Sequence, residues 1–229
     1  LEKSHSPLIF SALMMVGLLL ISVLVFDDKP YLTISFAIIA LTILPMFASF
    51  ELKQIQSKEI VFLAVLAAIA AIGRVPFAPL PSVQPTTFII IVSALVLGPQ
   101  AGFMIGAAAA IVSNIFLGQG PWTPWQMFAW GMIGLVAGLL RNTGFMKNKS
   151  GLLAYGFFVG FLFGWFMNLW FIMGFLKDMT WPTFLSAYIA SFYFDLAHAL
   201  SNVFFLALFS TTWIRILSRF KRKYGILEA

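Results

Sequence analysis

Residues 118–130, Gly-Gln-Gly-Pro-Trp-Thr-Pro-Trp-Gln-Met-Phe-Ala-Trp, lie between two apolar runs that are each long enough to cross a bilayer. Pro121 and Pro124 stop one helix from running through, because each lacks an N–H and constrains the residue before it. Within the break sit two amides, Gln119 and Gln126, and three indoles, Trp122, Trp125 and Trp130. Tryptophans at the end of a membrane span anchor it at headgroup level, which accounts for one or two of them. Three indoles with two amides and two prolines also describe a rigid, aromatic-walled ligand pocket. Sequence alone leaves both readings open.

The chain as a whole is 61% hydrophobic and only 10% charged, with a mean hydropathy of +0.98. Soluble domains carry about 25% charged residues, so the composition is that of an integral membrane protein. The absence of cysteine excludes disulfides, thiolate metal sites and cysteine nucleophiles. The net charge of +6 fits basic cytoplasmic loops and needs no nucleic acid. No small-residue cleavage site follows the first apolar run, which is therefore read as a span rather than a leader.

Eight apolar segments follow in order: Leu8–Phe26, Tyr31–Phe50, Glu59–Val75, Thr86–Leu97, Pro99–Leu117, Pro124–Leu140, Gly151–Leu176 and Thr183–Arg215. Most are far too long for strands, so the expected fold is all-α. The fourth holds about twelve residues, roughly 18 Å at helical rise, and is too short to cross alone. The eighth is over-long and must tilt or project. With a cytoplasmic N-terminus and alternating spans, the inside carries Lys3, Lys53, Lys58, Arg141, Lys147, Lys149, Arg215, Arg219, Lys221, Arg222 and Lys223. The outside keeps Lys29, Arg74 and Lys177. This bias predicts a multi-pass plasma-membrane protein with both termini in the cytoplasm and the Trp-Pro loop outside.

Polar residues within the spans then gather in the outer half. Arg74 ends the third segment, and Gln84 lies in the Pro-rich stretch 75–85 after it. Asn114 is one turn from the outer end of the fifth, and Asn168 sits between Trp165 and Trp170 on the seventh. Asp195, His198 and Asn202 share one face of the eighth. Ionisable groups in spans are costly and mark functional candidates. The plainer alternatives are an Asp195–His198 bond across a turn, interhelical asparagine contacts, and an Arg74 that snorkels to the headgroups. The expected substrate-binding set is Arg74, Gln84, Asn114, Gln119, Trp122, Trp125, Gln126, Trp165, Asn168, Asp195, His198 and Asn202. On the third segment Ala64, Ala67, Ala68 and Ala71 form a small-residue stripe that lets a helix approach closely, either within the bundle or from a partner. Gly102, Gly106 and Ala107–Ala110 do the same on the fifth.

The order of these features carries a family resemblance. An Ala-stripe helix is followed by a Pro-rich loop with Gln84-Pro85, a short helix, and a Gly98-Pro99-x-Ala101-Gly102 turn into a small-residue helix. Residues 59–215 thereby resemble the six-helix core of the S-component, the substrate-binding membrane subunit, of an energy-coupling factor (ECF) vitamin transporter. Residues 1–58, with two additional helices, and a basic cytoplasmic tail at 216–229 flank that core. Arg74-Val75-Pro76, Val83-Gln84-Pro85, Ser113-Asn114 and the 118–126 stretch are most similar to the cobalamin branch. The resemblance implies capture of cobalamin, or alternatively another vitamin or a deazapurine, and no catalysis or cofactor of its own. It also implies a membrane coupling subunit and two cytoplasmic ATPases as partners, with Ala64, Ala67, Ala68 and Ala71 facing the coupling subunit. His198 is expected to hydrogen-bond a ligand amide or Asp195 rather than to ligate cobalt, so no metal ligand is assigned.

Two rival classes stand beside this one. A proton-coupled secondary transporter would use Asp195 and His198, but the inverted repeats common in such proteins are not evident. An intramembrane enzyme would need a nucleophile elbow, a His-Glu-x-x-His helix or paired acids, and none is present. Nor is there a Gly-x-x-x-x-Gly-Lys-Ser/Thr phosphate loop, so energy must come from a partner or a gradient.

Overall fold

A segment that is apolar on every side has no face to give to solvent and becomes the centre of a bundle. The run Thr86–Leu97 does this, with ten of its 12 residues buried. The computed structural model describes residues 56–175 and 180–227, together with Ala37 and Ile43. The expected spans Leu8–Phe26 and Tyr31–Phe50 lie outside the described residues, apart from those two positions. In chain order the helices are α1 (Ser57–Ile72), α2 (Thr86–Leu97), α3 (Pro99–Leu117), α4 (Thr123–Leu140), the single turn α5 (Gly144–Lys147), α6 (Lys149–Phe175) and α7 (Trp181–Tyr224). No strand occurs among the described residues.

The central α2 packs against α1, α3, α4 and α7, and more lightly against α6. Its shortness thus has a reason: it is covered by protein and has no need to span alone. It ends at Gly98, whose φ of 102° is a conformation that favours glycine, and Pro99 restarts the chain as the first residue of α3. The guanidinium of Arg141 lies on this turn, where a side chain at 98 would go. Among the described residues three helices, α3, α6 and α7, are long and apolar enough to cross a membrane by length and composition.

Two helix pairs approach to backbone contact. On α3 and α4, Gly102 lies on Gly134, Gly106 on the backbone of Trp130 and Gly131, and Gly138 on Pro99. On α6, the stripe Gly156, Gly160 and Gly164 receives Leu206, Ala199 and Asp195 of α7. Small residues at spacings of four give each partner a flat groove, and dispersion over the close contact replaces the hydrophobic effect that lipid does not supply. The small residues of α3 therefore serve packing within the bundle.

The last helix differs from its expected extent. It starts at Trp181, with the Thr180 hydroxyl accepting from the Thr183 amide, and continues 44 residues to Tyr224 before a left-handed Gly225. The stretch 216–224, read from sequence as the start of a tail, is thus helical. Its cations Lys221, Arg222 and Lys223 occupy the last turn, where they complement the helix dipole. At the same end, Glu59 accepts from the amides of Gln56 and Leu227, which ties α1 to the segment after α7.

Gly134→Val is expected to lower stability by about 1–3 kcal/mol or more, because the added methyls meet Gly102 backbone that cannot yield. Gly144→Ala, where a Cβ meets nothing within 4 Å, is expected to stay within about 0.5 kcal/mol of the parent. Thermal unfolding of both variants in detergent checks the contrast.

Candidate functional site

The end of the bundle opposite Tyr224 holds a continuous polar network. It begins at Arg74, just past α1, where the chain turns through Pro76, Pro79 and Pro81 before α2. Arg74 Nε donates to Gln84 Oε1 at 3.0 Å, and Nη1 donates to Asn114 Oδ1 at 2.9 Å and to the Ser113 hydroxyl. Asn114 passes the pattern on, its Nδ2 donating to Gln126 Oε1 at 2.7 Å and Thr123 Oγ1 at 3.0 Å. Thr123 in turn donates to Gln119 Oε1, and Gln119 Nε2 donates to the Ile111 carbonyl. The loop closes on α7, where the Ser201 hydroxyl bonds both the amide and the carbonyl of Gln84.

A second branch runs inward from the same cation. The Arg74 guanidinium lies 4.8 Å from the Trp130 ring centroid, a cation–π contact. Trp130 Nε1 donates to Thr87 Oγ1 at 3.1 Å, and Thr87 Oγ1 is 2.9 Å from His198 Nε2. Phe163 stacks on Trp130 at 4.7 Å and meets His198 edge-on at 5.0 Å. Thus Arg74, Gln84, Asn114, Gln119, Gln126 and His198, expected from sequence to share a site, belong to one connected set.

The other candidates form separate groups. Asn168 Nδ2 donates to Ser191 Oγ at 2.7 Å, and Ser191 Oγ donates to Asp195 Oδ2 at 2.9 Å and to the Tyr188 carbonyl. Tyr188 donates its hydroxyl to the Trp165 carbonyl. Asp195 and His198 share a helix face but not a bond, so a direct Asp195–His198 pairing across the turn is absent. Asn202 Nδ2 donates to the Gly156 carbonyl in the α6–α7 groove, while its Oδ1 is buried without a described partner. Trp125 is 0% exposed and packs on Phe166, whereas Trp122 pairs with Trp170. Trp165 lines a cavity of about 420 Å³ between α4 and α6, walled by Phe128, Phe163, Phe166, Tyr155 and Tyr188. Of the expected substrate-binding set, it alone does so.

The structure also splits the alanine stripe. Ala67 and Ala71 are buried in the bundle, while Ala64 is exposed and Ala68 half-buried on an outward face with Val61, Val65 and Ile72. Of the four, Ala64 and Ala68 thus lie on the outside of the bundle, and Ala67 and Ala71 serve internal packing. Sequence reading missed Thr87, Ser191, Ser201 and the Gly156–Gly160–Gly164 stripe as parts of these arrangements. Ser201 adjoins Asn202 on the polar face of α7, and the glycines recur at a helical spacing of four, so both left a signal. Thr87 left little, since it opens an otherwise apolar run.

A family model described as "ECF transporter, substrate-specific component" matches residues 58–218. A UPF0397 protein of Aliivibrio fischeri is 27% identical over 104 residues, 43% of this chain and 56% of that protein. One from Vibrio atlanticus is 30% identical over 89 residues, 37% of this chain and 48% of that protein. The chain thus spans about half the length of the curated relatives it matches. No solved structure matches it.

Thr87→Val keeps the shape but leaves Trp130 Nε1 and His198 Nε2 without their shared hydroxyl. Each buried group so orphaned costs about 1–3 kcal/mol. The expected result is a lower unfolding midpoint in detergent, whereas an unchanged midpoint shows that the branch through Thr87 contributes nothing.

Proposed function

The chain belongs to the family of ECF transporter substrate-specific components, and from that premise we propose that it captures a vitamin-type nutrient at its Arg74 end and passes it inward. The observation that carries this reading is the polar network of Arg74, Gln84, Asn114, Gln119 and Gln126, built into one end of an otherwise apolar bundle. Polar groups at membrane depth are costly, and a set of them held together by one cation is a recognition site by default. The positive-inside pattern puts that end outside the cell.

In this reading the protein supplies selectivity, and a membrane coupling subunit with two cytoplasmic ATPases supplies energy. The outward small-residue face of α1, Ala64 and Ala68, is the surface on which the coupling subunit docks. The similarity to the cobalamin branch makes a corrinoid the first substrate to test, and the amide-rich network suits the amides of its rim. Proton relay between Asp195 and His198 is not favoured, because Ser191 and Thr87 engage them separately. Trp125 and His198 are 0% and 3% exposed, so a ligand that reached them would first have to displace the residues packed on them.

Mass spectrometry of the small molecule that co-purifies with the protein, followed by ATP-dependent uptake with the coupling partners, tests the assignment. Ala64→Trp is expected to abolish uptake while leaving ligand binding within about twofold, because it blocks close helix approach from outside. Ala71→Trp is expected instead to destabilise the isolated protein, since its site is 0% exposed. If Ala64→Trp transports at the parental rate, the docking surface is elsewhere.

A corrinoid, if bound, is expected to keep its free-solution visible spectrum. His198 Nε2 is engaged by Thr87 and buried, so it is not available to ligate cobalt. A spectral shift that disappears in His198→Ala would reverse this expectation.

A further inference from the structure

The network around Arg74 has donors to spare. A guanidinium carries five N–H donors and accepts nothing. Three are used, on Gln84 Oε1, Ser113 Oγ and Asn114 Oδ1, and Nη2 has no acceptor among the described residues. Because the cation draws an amide oxygen toward itself, the Gln84 NH2 group is left facing away. Asn114, oriented the same way, spends its own NH2 on Gln126 Oε1 and Thr123 Oγ1, which leaves the Gln126 NH2 free in turn. None of these three nitrogens is among the sealed, unbonded atoms of the interior.

The positive charge is also unneutralised. Every described hydrogen-bond partner of Arg74 is a neutral oxygen, and the Trp130 face softens the charge without cancelling it. The two described acids are engaged elsewhere, Glu59 by the Gln56 and Leu227 amides and Asp195 by Ser191. A half-buried cation ringed by spare donors is complementary to an oxyanion, and Arg is the side chain whose fork suits carboxylate and phosphate.

We propose that Arg74 Nη2, with the amide nitrogens of Gln84 and Gln126, receives an anionic group of the transported ligand, a carboxylate or a phosphate ester. The inference rests on the reading of this end as the substrate site, and it adds the charge class that the site selects. A neutral analogue leaves the cation and two donors unmatched, and sites built from such groups reject ligands that lack the complementary atoms. Discrimination of about 10- to 100-fold between a carboxylate and its amide follows from one charge-assisted hydrogen bond.

The test uses the full chain in detergent, with thermal unfolding followed by tryptophan fluorescence. The probes are pairs that differ in charge: pantothenate and pantothenol, biotin and biotinamide, nicotinate and nicotinamide, pyridoxal phosphate and pyridoxal. A short-chain phosphatidylglycerol forms a separate arm. The proposal expects the anionic member of at least one pair to raise the midpoint and its neutral partner to leave it unchanged, with the response lost in Arg74→Gln. Should Arg74→Gln fail to fold, Gln126→Glu supplies the second variant: its carboxylate keeps the Asn114 bond, neutralises Arg74 from within and is expected to abolish the same response. Equal protection by a neutral partner, a response that survives both substitutions, protection by the lipid alone, or none from any anionic probe overturns the proposal. Each of those outcomes leaves the transport reading standing, because ATP-dependent uptake with the coupling partners decides that separately.

Discussion

The guanidinium of Arg74 can only donate, and much of this end of the protein is arranged by that one fact. Each oxygen it meets must be an acceptor, so Gln84 and Asn114 turn their carbonyl ends toward it. Asn114 then has only its NH2 group left for its neighbours, which sets Gln126 and Thr123 as acceptors, and Thr123 passes its proton to Gln119. A hydrogen bond to a charged group contributes about 1.5–3 kcal/mol, roughly twice a neutral one. One residue just past α1 thereby holds the following loop, α3 and the start of α4 in a single register. Through Trp130, Thr87 and His198 the same register extends to α2 and α7.

Such a network tolerates little slack, and the backbone contacts provide the rigidity it needs. Gly106 sits on the Trp130 carbonyl, so the depth of Trp130 relative to α3 is fixed by main chain rather than by side-chain rotamers. Asn114 and Ser113 lie two turns further along α3, and Gln126 one turn earlier on α4, which brings the three opposite one another at the Arg74 end. On the far side, Gly160 against Ala199 fixes α7 on α6, and His198 is the next residue along. The glycine contacts are thus the frame, and the polar groups are hung on it at positions they do not choose.

Much of this was legible in the chain. The twelve-residue length of the fourth segment already marked it as unable to span alone, and its all-round apolarity explains why it became the buried core. The Gly98-Pro99 punctuation and the Pro121/Pro124 break gave the helix ends, since both rest on backbone chemistry that tertiary contacts cannot override. Facing was harder to read. Helical periodicity puts Asp195, His198 and Asn202 on one side of α7, but it does not say that two neighbours meet at that side. Asp195 and Asn202 go to the α6 groove, and His198 goes to Thr87. The alanine stripe shows the same limit, because a methyl fits equally well against a neighbour inside the bundle or a partner outside it. Spacing names the stripe, and only the surrounding helices decide that Ala67 and Ala71 turn inward while Ala64 stays out.

The two ends of the bundle are closed by different means, and this bears on how a cargo could pass. At the basic end the chain ties itself to main chain: Lys58 to the Tyr224 carbonyl at 2.7 Å, Lys221 to the Val96 carbonyl at 3.2 Å and the Leu227 amide to Glu59 at 2.6 Å. Lys149 adds bonds to the Leu206 and Ala207 carbonyls. The 44 residues of α7 extend about 66 Å at helical rise, well beyond a hydrocarbon core of about 30 Å. Its basic turns therefore sit in water or at headgroups with their ties intact. At the Arg74 end the loops are held by the side-chain pairs of the Arg74 set and by the Ser201 hydroxyl, which bonds the main-chain amide and carbonyl of Gln84. In the proposed reading, a ligand oxygen that takes over one bond of the Arg74 set exchanges one hydrogen bond for another, so that exchange costs little net free energy.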